Sequence, residues 1–388
     1  MAPAPQLPDP SPEAQAVSAA LSRLIAGEIA ASGGWVSFAR FMELALYAPG
    51  LGYYMAGARK LGRDGDFVTA PEISPLFGRA VAQQVAPLLT DGLTEVLEIG
   101  AGSGALAADL LLELERLGRL PARYLILELS ADLRSRSRDT IAARAPRHME
   151  RVAWLNRVPP AFRGIVIGNE VLDAMPAHRV LRSAGATLEG CVQYDAASGR
   201  FADLDRPASD AVQRAAAALP LPADDYRTEI QLHAGAFVRT LGAALERGVA
   251  FFFDYGFPRH EYYHPQRTRG TLMCHYRHRA HDDPYFLPGL QDITCHIDFT
   301  AIAQAAHEAG LALLGYTNQA QFLLNCGITD LLAETPADDV AAYAPRAAEA
   351  QTLLLPSEMG ELFKVIALGK GIPGSLLGFE RGDKSGSL

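Results

Sequence analysis

Lysine is nearly missing from this chain: Lys60, Lys364, Lys370 and Lys384 are the whole set, and the other basic residues are arginines. The formal net charge is -9 at pH 7. Such a balance argues against nucleic acid as the main partner, because phosphate binding rests on Lys/Arg neutralisation. Cysteine is sparse as well. Cys191, Cys274, Cys295 and Cys326 are scattered without C-x-x-C spacing, which argues against a disulfide frame or a zinc site and fits reduced thiols. No apolar run approaches the length that spans a bilayer, so no membrane insertion is expected. Met1–Pro12 is Pro-rich, carries Asp9 and is followed by no arginine before Arg23, unlike a signal peptide or presequence. A cytoplasmic, bacterial location is the expectation. No internal repeat is present, which excludes a solenoid. What remains is ordinary for a soluble enzyme: 388 residues, 49% hydrophobic and 20% charged, enough for one elaborated domain or two.

The most informative stretch is Val96-Leu97-Glu98-Ile99-Gly100-Ala101-Gly102-Ser103-Gly104. A short apolar run enters a loop with glycine at every second position, and a helical pattern follows from near Leu106. This reads as a buried strand, a tight turn and a helix whose N-terminus faces a ligand; a Cβ in the turn would block close approach to the backbone. Gly100-x-Gly102-x-x-Ala105 satisfies the dinucleotide fingerprint too. Glu98 and the third glycine, Gly104, favour the E-x-G-x-G-x-G form, which resembles motif I of Rossmann-like methyltransferases, where loop and acid hold the amino-acid part of S-adenosylmethionine. The next apolar run, Tyr124–Leu127, ends in Glu128, placed to accept from both hydroxyls of a ribose. That position is shared by both cofactor classes.

Around this motif the elements alternate as a doubly wound sheet requires. Strands are expected at 95–99, 124–128, 152–155, 165–168, 249–256, 311–316 and 363–368, and helices at 15–31, 75–89, 234–246, 302–309 and within 319–352. The expected fold is α/β, a Rossmann-like sheet of seven strands with a late antiparallel pair. The expected organisation is a disordered leader (1–14), an N-terminal helical and lid segment (15–90), a catalytic domain (91–370) and a flexible tail (371–388). The catalytic domain carries insertions near 180–230 and 257–298. The first holds a weak hairpin (about 188–202) and an Ala-rich helix (about 208–218); the second is an irregular loop rich in aromatics and histidine.

In open α/β sheets ligands sit at the carboxyl ends of the strands. The fourth expected strand delivers Asn169-Glu170-Val171-Leu172-Asp173-Ala174-Met175-Pro176 to that edge. Two carboxylates and an amide within five residues read either as a capped turn or as catalytic groups. Methyl transfer from a sulfonium is an in-line displacement, so the enzyme must align the nucleophile and exclude water. An arginine nucleophile needs carboxylates that match its guanidinium and receive its proton during or after transfer. Asn169, Glu170 and Asp173 are therefore candidates, with His296 in Asp292-Ile293-Thr294-Cys295-His296-Ile297-Asp298. The histidines between 257 and 298 suggest a metal, but Pro258 and Pro265 oppose a helical pair at His260 and His264, and no Cys/Asp spacing completes a ligand set. No metal is expected.

With these motifs in hand, the chain resembles the MidA-like methyltransferases, which include the mitochondrial complex I assembly-factor arginine methyltransferase and bacterial relatives. The matching segments are Gly52-Tyr53-Tyr54, Gly65-Asp66-Phe67-Val68-Thr69-Ala70-Pro71-Glu72-Ile73-Ser74, Phe77-Gly78, Glu98–Gly104, Asn169–Pro176, Asp254-Tyr255-Gly256, Arg269-Gly270-Thr271-Leu272, Asp292–Phe299 and Met359–Lys364. Met175 and Ala131 depart mildly from the family pattern. The resemblance implies an S-adenosyl-L-methionine-dependent methyltransferase in which Gly65–Ser74 closes over the cofactor. Thr69 within it and Asn156, after the third strand, join Glu98, Gly100, Gly102, Gly104 and Glu128 as candidate cofactor contacts. It also implies symmetric dimethylation of an arginine on a protein such as a respiratory complex I subunit. Methylation of a small molecule or another side chain, and a non-catalytic assembly chaperone that binds the cofactor, remain the alternatives.

Overall fold

The computed structural model describes residues 7–57, 68–90, 92–222 and 225–388. The chain forms two compact units, neither continuous in sequence. One unit comprises Met1–Phe67, Asp173–Ala236 and Phe257–Asp298; the other comprises Val68–Leu172, Phe237–Gly256 and Phe299–Leu388. Where the sequence suggests successive blocks, the structure groups the two insertions with the N-terminal segment. Strand pairing is the reason: Trp35–Ser37 is antiparallel to Ala186–Asp195, with Val36 opposite Val192.

The second unit holds the central sheet. Its strands are β1 (Glu95–Ile99), β2 (Arg123–Leu127), β3 (Val152–Leu155), β4 (Phe162–Asn169), β5 (Leu245–Phe257), β6 (Ala312–Asn318) and β7 (Phe363–Lys370). Their spatial order is 3-2-1-4-5-7-6. Neighbours from β3 through β5 run parallel, and β7 is antiparallel to both β5 and β6. This is the late antiparallel pair expected above. Runs such as Ile165–Ile167 and Val249–Phe253 lack polar alternation because both faces of the sheet are covered. Helices α1 (Pro75–Val85), α2 (Ala105–Arg116) and α3 (Ala131–Arg144) belong to this unit. Phe77, Phe251, Phe253 and Phe322 lie in one buried cluster, each contributing about 1.5–3 kcal/mol by leaving water.

Element ends follow local chemistry. Ser74 caps α1, accepting from Leu76 N–H at 3.2 Å, with Pro75 at the first position. Helix α1 stops at Val85, short of the expected 89, and a 3₁₀ turn over Ala86–Leu88 follows because Pro87 brings no N–H. The long helical stretch 319–352 divides into Gln319–Asn325, Ile328–Ala333 and Val340–Leu354, with Gly327 at φ 77° in the first break.

The tail expected to be flexible is folded. Phe379 and Leu376 are buried in the main cluster, Tyr316 N–H donates to Asp383 at 3.0 Å and Gly378 N–H to Gln84 at 2.7 Å. Residues Leu376, Leu377 and Phe379 supply the apolar surface that anchors it. At the other end, residues 1–6 lie outside the described set. The first helix begins at Pro12, not Gln15, because Ser11 accepts from Ala14 N–H.

The first unit contains an antiparallel sheet. His178–Ser183, Ala186–Asp195, Arg200–Pro207 and Tyr226–Ile230 join Trp35–Ser37 in it. Here stood the expected weak hairpin. The Ala-rich helix is present as Asp210–Ala217. The stretch 257–298, expected as irregular, carries a short helix, Arg259–Tyr262, and a three-stranded sheet of Met273–Tyr276, Arg279–His281 and Asp292–Thr294.

Candidate functional site

Because β1 to β4 are parallel, their carboxyl ends share one edge of the second unit, and most of the candidate residues follow those ends. Strand β1 delivers the glycine loop. Gly100, Gly102 and Gly104 have φ of 66°, 53° and 84°, values that L side chains seldom adopt. A Cβ on Gly104 would stand 2.8 Å from the Ser137 backbone in α3, so this glycine seats the start of α2 against α3. The first amide of α2, Ala105 N–H, donates to Ser103 Oγ at 3.3 Å.

Glu98, inside β1, is buried and accepts a 2.7 Å bond from the Tyr124 hydroxyl of β2. Burial pushes its carboxyl up to about 7; the Tyr124 bond opposes this and the Glu128 charge adds to it. Glu128 follows β2 directly, is 7% exposed, and accepts from Ser130 N–H at 2.9 Å. Arg134 on α3 donates to the Glu128 carbonyl at 2.6 Å and also reaches the Leu155 carbonyl, tying the ends of β2 and β3 together. Arg134 and Tyr124 carry no motif signal and were not candidates.

Thr69 precedes the short helix Ala70–Ile73, and its carbonyl accepts from Glu72 and Ile73 N–H. The Glu72 carboxylate accepts from the Ser103 hydroxyl, so the described part of this segment contacts the glycine loop. Gly65–Phe67, the start of that segment, lie outside the described residues. Asn156 is exposed just beyond β3.

Strand β4 ends at Asn169, and the turn after it is unusual. Asn169 Nδ2 donates to Glu170 Oε1 at 3.1 Å, while Asn169 Oδ1 is buried with no hydrogen-bond partner among the described residues. Glu170 holds φ 52°, a strained setting for a side chain with a Cβ. Two bonds from β5 hold the turn: Glu170 N–H donates to the Phe253 carbonyl at 2.8 Å and Leu172 N–H to Asp254 Oδ2 at 2.9 Å. Asp254, to which motif reading gave no role, thus supports the turn that carries Asn169 and Glu170. Its signal was present: an acid directly after the apolar run Val249–Phe253.

The remaining two candidates belong to the first unit. Asp173 is buried, and its carbonyl accepts from Cys295 N–H at 3.1 Å, which brings His296 to the neighbourhood of Asp173 within that unit. His296 N–H donates to Thr271 Oγ1 at 3.1 Å and its ring meets Phe257 edge-on. Asp298 accepts from Arg259 Nε at 3.2 Å. Among the described residues no group of three or more His, Cys, Asp or Glu is placed to hold a metal ion, and no helix is long and apolar enough to cross a membrane.

These features coincide with what the chain is similar to. Residues 76–317 match the family model described as "Putative S-adenosyl-L-methionine-dependent methyltransferase". The chain is 52% identical to a Burkholderia thailandensis protein solved with bound S-adenosyl-homocysteine, covering 99% of this chain and 100% of that one with a TM-score of 0.95. The protein arginine methyltransferase NDUFAF7 of Mus musculus is 28% identical over 87% of this chain and 81% of its own. That of Danio rerio is 25% identical over 91% and 87%.

Sheet order, glycine loop and these likenesses define the class: an enzyme that transfers methyl groups from S-adenosyl-L-methionine. The chain belongs to the MidA-like methyltransferase family. Its residues fit the cofactor chemically. Glu98, a buried carboxyl beside a second acid, is suited to a cationic amine, and Glu128, at the end of β2, is suited to accept from hydroxyl donors.

Proposed function

We propose that this enzyme methylates an arginine side chain on a protein. The observation that carries the reading is the pair at the end of β4: a carboxylate on Glu170 and an unpartnered acceptor, Asn169 Oδ1, on adjacent residues. A guanidinium offers only N–H donors and stays protonated in water. Two acceptor oxygens on one turn satisfy such a group, orient one nitrogen and take up charge as its proton leaves. A carbon or thiol nucleophile has no use for both. The bound cofactor supplies an electrophilic methyl group on a sulfonium.

The chain's residues do the rest. Glu170 and Asn169 align the acceptor, and the clamp from Phe253 and Asp254 keeps them in place. Asp173 and His296 are proposed as acceptor-side groups. Glu98, Glu128, Gly100, Gly102, Gly104, Thr69 and Asn156 are proposed cofactor contacts. The names of the relatives support arginine as the acceptor. The family resemblance makes a respiratory complex I subunit the first protein to try, symmetric dimethylarginine the product to look for, and the cytoplasm the place to look.

The test is incubation with methyl-labelled S-adenosylmethionine and a protein extract from a strain lacking the gene, followed by hydrolysis to amino acids. Label in methylarginine is expected. Label confined to small molecules or to other amino acids would overturn the reading.

A further inference from the structure

The segment Arg269-Gly270-Thr271 matches the family, yet the reaction above assigns it nothing. We propose that Glu229, through Thr271, is a positioning residue for His296. The inference rests on the reading that His296 serves the methyl acceptor, but its structural part is independent of that reading.

Glu229 lies in the strand Tyr226–Ile230 and is fully buried. Its Oε2 accepts from Thr271 N–H at 2.8 Å, from Thr271 Oγ1 at 3.1 Å and from the Tyr262 hydroxyl at 3.5 Å. Burial pushes the Glu229 carboxyl up, the Thr271 hydrogen bonds and the Arg179 charge oppose this, and Oε1 has no hydrogen-bond partner among the described residues. The loop is shaped to fit. Arg227 N–H donates to the Thr268 carbonyl at 3.0 Å, laying the segment beside the strand. Gly270 then turns at φ 77°, and a Cβ there would stand 2.5 Å from Glu229 Oε2. Only glycine lets the loop approach this closely.

Thr271 passes the constraint on. Thr271 Oγ1 lies 3.1 Å from both Glu229 Oε2 and the Tyr262 hydroxyl, and His296 N–H donates to it at 3.1 Å. On the far side of the same residue, Gln231 Nε2 donates to the His296 carbonyl and to the Tyr262 hydroxyl. Both backbone polar groups of His296 are thus held by side chains from one network anchored on Glu229. A buried carboxyl bonded to a hydroxyl, which in turn receives an amide, forms a network whose bonds polarise one another. The residue that it fixes carries the one histidine among the candidates.

The test uses the full chain with histidine labelled at 13Cε1, whose ten side chains give resolvable resonances; His296→Gln identifies the signal of interest. Thr271→Val removes the hydroxyl, and Thr271→Ser keeps it. The expected result is that Thr271→Val and Glu229→Gln move the His296 resonance and leave histidines outside the network unmoved, while Thr271→Ser restores the wild-type position. A folded Thr271→Val protein with an unmoved His296 signal overturns the proposal, and so does a Thr271→Ser shift as large as that of Thr271→Val. If Glu229→Gln does not fold, the two threonine variants decide alone. With the acceptor in hand, Thr271→Val is expected to raise its KM roughly tenfold with S-adenosyl-homocysteine affinity unchanged. A moved resonance with an unchanged KM would leave the positioning relation standing and overturn the role of His296 in acceptor binding.

Discussion

Asn169 and Glu170 are consecutive residues whose side chains bond to each other at 3.1 Å while the second holds a left-handed backbone, φ 52°. The strained geometry persists because β5 grips the turn through Phe253 and Asp254. Strain maintained by surrounding bonds is a mark of functional placement.

That strain has a measurable consequence. Glu170→Gly and Glu170→Ala both remove the carboxylate, but only glycine relieves the backbone. Urea unfolding is expected to show the glycine variant more stable than the alanine one by about 1 kcal/mol. Equal stabilities would mean that the turn is unstrained.

Asp254 is expected to matter through the turn and not through the cofactor. Asp254→Ala leaves Leu172 N–H without its acceptor, costing about 1–3 kcal/mol for a buried donor. Methyl transfer should fall while S-adenosyl-homocysteine affinity, measured by calorimetry, stays within about twofold of wild type. Loss of cofactor binding instead would place Asp254 in a different role.

The central sheet was legible because burial on both faces writes strands as unbroken apolar runs: β1 and β3 fall where the sequence puts them, and β2 is shifted by one residue. Gly100, Gly102 and Gly104 announced the loop by spacing alone. The first unit was not legible, for a local reason. Two of its hairpins turn on residues that carry no hairpin signal. Ala184-Gly185 and Arg277-His278 all hold positive φ between paired strands, a geometry normally marked by Asn-Gly or Asp-Gly. The turn after β4 stood out as a motif, but its unpartnered oxygen, Asn169 Oδ1, and its clamp are tertiary facts. Glu229 sits in an ordinary strand pattern, and only its contact with Gly270 shows what it does.

The tail offers a test of that reading. Phe379 packs in the main core beside Gly315 and Phe322, so Phe379→Ala should cost about 3–5 kcal/mol. A loss below 1 kcal/mol in thermal or urea unfolding would return the segment to the flexible class.

Glu98 makes pH a probe of the cofactor site. Its carboxyl titrates near 7 in the folded protein, above the ordinary value near 4.3. A raised acid favours the folded state below its unfolded value, and that contribution is lost as pH rises through about 7. Cofactor binding runs the other way, since a cationic amine prefers the ionised form. Affinity for S-adenosyl-homocysteine is expected to strengthen from about pH 6 to 8, and Glu98→Gln to flatten that dependence. A wild-type affinity flat across this window would remove Glu98 from amine binding.

Glu128→Ala is expected to weaken S-adenosyl-homocysteine binding by roughly 10- to 100-fold, the loss of two hydrogen bonds to a charged acceptor. NADH should not bind either protein. Calorimetric titration of both ligands checks this, and NADH binding would contradict the cofactor chemistry of the glycine loop.

The most direct test compares wild type with Glu170→Gln, the variant that keeps size and removes charge. S-adenosyl-homocysteine affinity and labelled methylarginine are measured on the same preparations. The account predicts unchanged affinity and at least a roughly hundredfold drop in methylarginine, the scale of a lost catalytic proton acceptor. Methylarginine formed at the wild-type rate by Glu170→Gln would contradict it.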